Sequence, residues 1–280
     1  MGSFLSTSPD PAERTGLGDL PESCAASILG YLEPTDVCRL GGLNRAFRGA
    51  SWADVVWVAK LPENYGVIVE KVFGGLVGGG GGGGLCKREI YTGLCGGNTF
   101  DGGTKRVWMD KSTGRICLSV SAKGLAITGV DDRRYWNYIT TTESKFGEVA
   151  YLRQTWWLQA EGEVEFPFPK GNYSVFFRLQ LGRTARRFPG RRVCVTEHVH
   201  GWDKKPVQFQ LSTSDGHSTS SQYFLTDPGK WVNYHVGDFI VRSHDAPTKV
   251  KFSLTQIDCT HTKGGLCINS LLICPTRMQG

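Results

Sequence analysis

The sequence lacks any long hydrophobic run. None of its stretches reaches the roughly 18 consecutive apolar residues that a membrane-spanning helix needs, and its start does not show the pattern of a secretory signal peptide. Close cysteine pairs are also absent. The nine cysteines are an odd number, and no two of them form a Cys-x-x-Cys element. We therefore expect free thiols in a reducing environment, that is, the cytoplasm and the nucleus.

A strong excess of charge of either sign is missing as well. The formal net charge is +6, from 32 basic and 26 acidic side chains. One dense basic run stands among glycine, proline and threonine residues, and it comprises Arg183, Arg186, Arg187, Arg191 and Arg192. Such a run is usually a solvated loop, so we predict a loop and no nucleic-acid partner. Nucleic acid or an acidic partner is the alternative.

Motifs for catalysis and metal binding are scarce. His198 and His200 would share one face of an extended segment, but no third ligand follows at a recognisable spacing. No serine or cysteine lies in a recognisable nucleophile motif. Glu161, Glu163 and Glu165 fall along one face of a strand, whereas sugar cleavage needs a pair of carboxylates flanking the bond. We predict no metal site, no cofactor and no enzyme activity.

A helical block is present between Leu20 and Trp57. Proline is favoured in the first turn of a helix, and Leu20-Pro21 opens the block. Apolar residues then follow at helical spacing: Cys24, Ile28, Leu29 and Leu32. Pro34 ends this helix, and a second is predicted from Thr35 through Val37, Leu40, Leu43 and Phe47. A capping-box pattern from Ser51 to Asp54 predicts the start of a third helix.

The order of these residues resembles an F-box. The resemblance is carried by Leu20-Pro21, Ile28-Leu29, Leu32, Pro34-Thr35-Asp36, Leu40, Leu43-Asn44-Arg45, Phe47-Arg48 and Trp57. It implies docking on the Skp-type adaptor of a cullin–RING ubiquitin ligase, and through that adaptor on cullin. The residues expected to dock are Leu20, Pro21, Ile28, Leu29, Leu32, Pro34, Leu40 and Leu43. Some of them must instead hold the three helices together, and the sequence does not distinguish the two groups.

The amino-terminal residues 1–15 are predicted to be disordered, and the F-box is assigned to residues 16–62. The first six residues, Met1-Gly2-Ser3-Phe4-Leu5-Ser6, match the minimal pattern for N-myristoylation. One acyl chain on Gly2 would give only a weak and reversible membrane contact.

Residues 63–105 are predicted to be a glycine-rich linker with short helices. A run of seven glycines from Gly78 to Gly84 has no side chain that can pack, so it is interpreted as a flexible tether. Short helices are predicted over Tyr65–Phe73 and Lys87–Leu94.

From residue 106 the hydrophobic period changes to two. The clearest example is Val207, Phe209 and Leu211, which alternate with polar residues as in a half-buried strand. Similar strands are predicted around Ile116–Ser121, Tyr173–Arg178 and Val250–Thr255. Short strands joined by turns, without alternating helices, predict an antiparallel β-sandwich over residues 106–275. One amphipathic stretch, Ser144 to Leu152, is predicted to be a short helix.

Several segments of this region resemble the phloem protein 2 (Nictaba-like) lectin family. They are Ile127 to Trp136, Glu148 to Leu152, Trp156-Trp157-Leu158, Gly171 to Val175, Val199 to Asp203 and Trp231 through Phe239. Together with the F-box they resemble the plant F-box phloem-protein-2 proteins. The fold implied is mainly β: a small three-helix F-box followed by an antiparallel β-sandwich, lectin-like domain.

The resemblance also indicates where a sugar would bind. The sugar-binding members of the family use paired tryptophans in the loop that here spans Gly129 to Trp136, together with carboxylates on a late strand. In this sequence Trp136 is kept, the first tryptophan position falls on Gly129, and the carboxylate positions fall near Lys249 and Gln256. The resemblance therefore implies Trp136, Asp131 and Gln256 as contacts to a glycan containing N-acetylglucosamine or mannose. A different glycan, or none, is the alternative.

Tryptophan is usually largely buried, so a second interpretation exists for each of these rings. Trp136 is as consistent with a core or rim position as with sugar stacking. Trp156, Trp157 and Trp231 are expected in the core.

The two resemblances together imply the substrate-recognition subunit of an SCF-type (Skp adaptor–cullin–F-box) ubiquitin ligase. The F-box would dock on the adaptor, and the lectin-like domain would bind a glycoprotein or protein target. The alternative is an intracellular carbohydrate-binding lectin without a role in ubiquitination.

Overall fold

The computed structural model describes residues 16, 19–74, 84–188, 191–243 and 246–276, with the side chains of 184–193 outside that description. The chain divides into two compact units: the helical unit, Met1–Leu61 with Cys86–Tyr91, and the β unit, Pro62–Leu85 with Thr92–Gly280. The predicted disordered segment 1–15, the acylation signal at Gly2 and Gly78–Gly83 lie outside the described residues. Within the described part of the chain, no helix has the length and apolar character to cross a bilayer.

Six α-helices occur in the described residues. They are α1 (Glu22–Gly30), α2 (Pro34–Leu40), α3 (Arg45–Ala50), α4 (Asp54–Val58), α5 (Tyr65–Phe73) and α6 (Lys87–Gly96). The two short helices predicted in the linker are present as α5 and α6. The segment predicted as a linker is divided between the two units. Cys86–Tyr91, with the first part of α6, belongs to the helical unit, and the rest of the segment belongs to the β unit.

The second predicted helix is two helices, α2 and α3. Two consecutive glycines, Gly41 and Gly42, lower helix propensity at the break. Asn44 then starts α3, since its side-chain Oδ1 accepts a hydrogen bond from the backbone N–H of Phe47 at 2.9 Å. Glycine is also needed at position 41 for packing, because a Cβ there would lie 2.7 Å from Ser51 Oγ. The predicted three helices are therefore four.

The predicted capping box at the start of α4 is absent. Ala53 is the N-cap residue, and it makes no side-chain cap. The Ser51 hydroxyl instead donates to the carbonyl of Arg48 at 2.8 Å, at the end of the preceding helix α3. Asp54 accepts from the backbone N–H of Lys87 at 3.0 Å and so satisfies a donor in the first turn of α6.

The helical unit has a small core of its own. Leu29, Val37 and Val56 are fully buried in it. Trp57 lies among them, with its Nε1 donating to the carbonyl of Ser51 at 2.8 Å. The Trp57 ring also packs against Tyr91 from α6, with the ring centroids 5.1 Å apart.

Replacing Leu29 by alanine is expected to destabilise the helical unit by about 2–5 kcal/mol, because the side chain is fully buried and would leave a cavity. The loss should appear in chemical denaturation followed by tryptophan fluorescence, to which Trp57 contributes from the core of this unit. The matched control is Leu43→Ala, since Leu43 is 65% exposed and its truncation should change the unfolding free energy by about 0.5 kcal/mol or less. Equal effects of the two substitutions would contradict the assignment of Leu29 to the core.

The described residues form fifteen β-strands. They are β1 (Asn98–Phe100), β2 (Lys105–Met109), β3 (Ile116–Ser121), β4 (Ala126–Ile127), β5 (Trp136–Thr140), β6 (Glu148–Leu152), β7 (Leu158–Phe166), β8 (Gly171–Leu181), β9 (Arg183–Phe188), β10 (Arg191–Val195), β11 (Val207–Thr213), β12 (Ser218–Tyr223), β13 (Trp231–Val241), β14 (Thr248–Gln256) and β15 (Leu266–Pro275).

The strands form two main antiparallel sheets. In the larger sheet β15 is central: β8 pairs along one of its edges, and β3 and β6 share the other. β13 extends the sheet beyond β8, β2 and β1 beyond β3, and β5 beyond β6. The smaller sheet has the order β12-β11-β14-β7-β4. Every pairing between these named strands is antiparallel, as the sequence predicts.

The two sheets pack face to face through aromatic rings. Phe177 of β8 contacts Phe209 of β11 and Phe252 of β14, with centroid distances of 5.8 and 6.2 Å. Tyr234 of β13 stacks on Phe209 at 6.0 Å. Burial along β11 alternates as the sequence predicts, with Val207, Phe209 and Leu211 inward. This is a β-sandwich, so the predicted fold class is confirmed.

One side of the sandwich is closed by hydrogen bonds between its sheets. Ser221 and Thr219 of β12 donate side-chain hydrogen bonds to backbone carbonyls of β13, at His235 and Val236. The approach is close at Gly237, where a Cβ would lie 1.9 Å from Thr219 Oγ1. Glycine at this bulge therefore allows the two edges to meet.

Two predictions of local structure in the β unit are wrong. The stretch predicted as a helix from Ser144 to Leu152 contains strand β6, whose last four residues are buried and which pairs with the central strand β15. Pairing within the sheet overrides its helical pattern. The basic run predicted as a loop forms the hairpin β9–β10, a separate two-stranded sheet. The two segments pair through their backbones from Arg183↔Val195 to Phe188↔Arg191.

Candidate functional site

The solvent-facing side of α1 carries an apolar stripe. Pro21, Cys24, Ile28 and Tyr31 follow one another at intervals of three and four residues, which places them on one side of a helix. All four are exposed, Ile28 by 44% and Tyr31 by 93% of their surface. Leu29 lies on the other side, in the core. We call these four residues the α1 stripe.

A lysine fixes the end of the α1 stripe. Lys60 Nζ donates to the carbonyls of Gly30 at 3.2 Å and Leu32 at 2.6 Å, the residues on each side of Tyr31. These carbonyls lie at a helix end, where backbone acceptors lack partners within the helix and a cation is favourable. Burial lowers the pKa of Lys60, and the nearby Glu33 opposes that shift. The backbone around the exposed Tyr31 ring is therefore held in place.

The residues predicted to dock on an adaptor divide by exposure. Leu29 is wholly buried, so it belongs to the group expected to hold the helices together rather than to the group expected to dock. The exposed residues are Pro21, Ile28 and Leu43, and the half-buried ones are Leu20, Leu32, Pro34 and Leu40. Contact of these seven with an adaptor stays a prediction. Sequence reasoning missed Tyr31, although its spacing of three from Ile28 was the available signal.

A second exposed apolar group lies around α4. Trp52, Val55 and Val58 are 52%, 68% and 44% exposed. The guanidinium carbon of Arg88 lies 4.0 Å from the Trp52 ring centroid, a cation–π distance. Large apolar groups that stay exposed are typical of interaction surfaces.

In the β unit, Trp136 is not placed as a sugar platform. Its ring is 2% exposed, and Nε1 donates to the carbonyl of Thr128 at 3.2 Å. A ring buried on both faces cannot stack on a sugar, so of the two interpretations the structure favours the core position. Gly129, at the family's first tryptophan position, has φ +73°, a conformation that side chains other than glycine rarely adopt.

The other two predicted sugar contacts lie in different environments. Asp131 is exposed on the loop after β4. Gln256 is 3% exposed, and its Nε2 donates to the carbonyl of Lys205 at 2.6 Å. Gln256 therefore supports the loops at this end of the sandwich and does not present its side chain to solvent.

The same end of the sandwich is built around a buried lysine. Lys263 is fully buried, and its Nζ donates to three backbone carbonyls: Trp156 at 2.8 Å, Gln256 at 3.0 Å and Asp258 at 3.0 Å. Burial lowers its pKa, while the thiol of Cys259 and the carboxylate of Asp258 oppose that shift. Three hydrogen bonds use all three protons of an ammonium group. The lysine thus ties the loop before β7 to the loop after β14.

Trp156 and Trp157, expected in the core, are on the surface. Their exposed fractions are 53% and 43%, because they lie in the loop that Lys263 holds, just before β7 begins. Trp157 Nε1 donates to the side-chain oxygen of Gln159 at 3.2 Å, and Gln159 Nε2 donates to Glu161 at 3.3 Å. This chain of hydrogen bonds runs along the outer face of β7. Trp231, also expected in the core, is half-buried.

The outer face of the smaller sheet is a polar groove. Its volume is about 740 Å³, and its lining includes Glu161, Glu163, Gln210, Ser212, Ser220 and Lys251. Hydroxyl, amide and carboxylate groups of this kind hydrogen-bond to sugar hydroxyls, and an exposed aromatic ring packs on the apolar face of a pyranose. Trp157 supplies such a ring on the same strand face as Glu161 and Glu163. Sequence reasoning assigned these glutamates only to a solvated strand face.

The described residues thus define a two-unit protein, with an exposed apolar stripe on the helical unit and a polar groove on the antiparallel sandwich. The sequence model of the family described as Phloem protein 2 matches residues 115–275. F-box protein PP2-A12 of Arabidopsis thaliana is 58% identical over 94% of this chain and 89% of its own length. F-box protein PP2-A11 of the same plant is 56% identical with the same coverage. The chain belongs to the plant F-box proteins of the phloem protein 2 family.

Similarity to solved structures is low. A family 35 carbohydrate binding module from Clostridium thermocellum matches 57% of this chain and 98% of its own, with 13% identity and a TM-score of 0.34. Neither a fold nor a ligand is transferred at that level of similarity.

Proposed function

We propose that this protein is the substrate-recognition subunit of an SCF-type ubiquitin ligase. The observation that carries the proposal is the α1 stripe, an apolar surface that the helical unit does not use for its own core. Its residues lie at the helical spacing with which a helix binds an apolar groove. The relatives named as F-box proteins support a Skp-type adaptor as the partner, with cullin bound through that adaptor.

In this proposal the chain contributes proximity and no catalytic residue. The β unit holds a glycoprotein or protein target while other subunits transfer ubiquitin, so the effective concentration of the target beside the ubiquitin carrier rises. The corresponding locations are the cytoplasm and the nucleus.

The groove on the smaller sheet supports a glycan as one form of target, and the Trp157 ring, outside its lining, is joined to it by the hydrogen bonds through Gln159 to Glu161. A carbohydrate-binding lectin without a role in ubiquitination is the second candidate function, and the exposed ring with its row of polar groups is the observation that favours it. The two candidates share the β unit and differ only in whether the helical unit binds an adaptor.

The test of the leading proposal is a calorimetric titration of the purified full-length chain with a purified Skp-type adaptor. We expect binding with a stoichiometry of one to one and a negative heat-capacity change, because apolar surface is buried. Absence of binding would overturn the proposal and leave the lectin function. A reconstituted ligase should then ubiquitinate a captured target only when this chain is present.

Replacing Trp157 by alanine is expected to weaken glycan binding by about tenfold or more, because the aromatic face is lost while the backbone held by Lys263 remains. The measurement is binding of the full-length chain to an array of glycans containing N-acetylglucosamine or mannose. Trp52→Ala is the matched control, since Trp52 is also exposed, by 52% against 43% for Trp157, but lies in the helical unit. Unchanged glycan binding in Trp157→Ala would contradict Trp157 as part of the sugar site, and no binding by the native chain would favour a protein target.

A further inference from the structure

A second cavity of the β unit is lined by positive charge. It has a volume of about 390 Å³, and its lining includes Arg134, Arg153, Arg183, His198, Asn137 and Tyr151. No carboxylate is among the described residues that line it. The cavity is separate from the groove on the smaller sheet, since no residue lines both.

Two of the three guanidinium groups are available for a ligand. Arg134 forms an ion pair with Asp132 at 2.7 Å, which offsets its charge. Within the described part of the chain, no ion pair involves Arg153 or Arg183. The cavity therefore has an uncompensated charge of about +2, and exposed like charges gathered in one concave site favour an anion.

The walls of the cavity are fixed by the larger sheet. Asn137 of β5 and Tyr151 of β6 are cross-strand partners, so their side chains lie on the same face. The Arg153 backbone N–H donates to the carbonyl of Tyr135 at 2.7 Å, and its guanidinium donates to the carbonyl of Arg133 at 3.4 Å. The Arg183 guanidinium carbon lies 5.8 Å from the Tyr151 ring centroid. Arg153 thus follows the end of β6, and Arg183 begins the β9–β10 hairpin. The sheet residues Asn137 and Tyr151 line the cavity between them.

The edge of the larger sheet beside this cavity is open. Strand β5 pairs with β6 on one side, and no described strand pairs on the other. An unpaired edge offers backbone N–H and C=O groups at strand spacing, which is the form in which an extended polypeptide is bound. Because Asn137 belongs both to β5 and to the cavity, a peptide on this edge would pass beside the arginines.

We infer that the cavity binds a phosphate monoester on a phosphorylated segment of a target protein, with the segment lying along β5. A phosphorylated serine, threonine or tyrosine carries a charge of about −1.5 to −2 and three acceptor oxygens, which matches two guanidinium groups without an ion pair among the described residues. An acidic glycan is less favoured, because Tyr151 is 4% exposed and offers no open ring for a sugar. The inference rests on the proposed function, because the phosphorylated segment is taken to belong to a target that the β unit holds.

The test uses the full-length chain and an array of ten-residue peptides with a fixed central phosphoserine, phosphothreonine, phosphotyrosine or unmodified serine. We expect binding that depends on phosphorylation and is competed by inorganic phosphate. The double variant Arg153→Ala/Arg183→Ala should bind the best phosphopeptide at least about tenfold more weakly. The double variant with lysine at both positions should recover part of the affinity, since it keeps the charge and loses the bidentate geometry.

Arg242→Ala is the matched control, because it removes an exposed arginine outside the cavity. It should bind the phosphopeptide as the native chain does. Equal binding of phosphorylated and unmodified peptides, or equal binding by the double alanine variant, would overturn the inference, and so would binding of heparin oligosaccharides without any phosphopeptide. Adaptor binding by the double alanine variant should be unchanged, so failure of the cavity proposal and failure of the ligase proposal give different results.

Discussion

Replacing Ile28 and Tyr31 together by alanine is expected to weaken binding of a Skp-type adaptor by about 100- to 1,000-fold. Both side chains belong to the α1 stripe and contribute little to the core of the helical unit, since they are 44% and 93% exposed. Large apolar and aromatic anchors each contribute about 2 kcal/mol or more at an interface, and every 1.4 kcal/mol is about tenfold in affinity. Calorimetry or surface plasmon resonance with purified adaptor measures the change.

Two variants separate docking from folding in this experiment. Val67→Ala removes a side chain of similar exposure, 52%, from α5 in the β unit, and it should bind the adaptor normally. Leu29→Ala should lose stability first and affinity only as a consequence. If the Ile28 and Tyr31 double variant retained native affinity while its thermal unfolding was unchanged, the α1 stripe would not be the docking surface.

The substitution Lys263→Met is expected to destabilise the β unit by about 3 kcal/mol or more. Methionine has a similar volume and no donor, so the three backbone carbonyls that Nζ contacts would lose a charged partner, each at a cost of about 1 kcal/mol or more. Since one of those carbonyls belongs to Trp156, the loop that presents Trp157 should also lose its order. Denaturant titration gives the free energy, and glycan binding reports the loop.

Lys251→Met is the control for loss of a lysine. Lys251 lies on the exposed face of β14, so its replacement should change the unfolding free energy by about 0.5 kcal/mol or less. If the two methionine variants were equally stable, water or rearranged loops would satisfy the carbonyls, and the buried ammonium would not be what holds this end of the sandwich.

The fold could be predicted from the sequence where apolar residues repeat at a fixed period. The alternation along Val207–Thr213 gave β11 and its inward face, and the helical spacing after Pro21 gave α1. The boundary between α2 and α3 was missed, because the apolar spacing continues through Gly41 and Gly42 while the glycines and the Asn44 cap stop the helix.

The sites were harder to predict, because they depend on groups that the sequence does not bring together. Nothing in a sequence marks three backbone carbonyls that converge on Lys263, since every residue has a carbonyl. Trp157 was expected in the core from the general burial of tryptophan, but it lies before the strand and outside the sandwich interior. Arg153 and Arg183 are thirty residues apart in the sequence, and the pairing of β6 and β8 on opposite edges of one end of β15 brings them to one cavity.

The buried Lys263 ammonium also determines what the loops at this end of the sandwich depend on for their order. Carbonyl oxygens that converge on one cation are the donors that hard metal ions such as calcium use. Here the cation is covalently part of the polypeptide, so its occupancy does not vary with the concentration of any ion, and a chelator cannot extract it. The support of the loop that carries Trp156 and Trp157 therefore comes from the polypeptide itself, through the hydrogen bond from Lys263 to the Trp156 carbonyl.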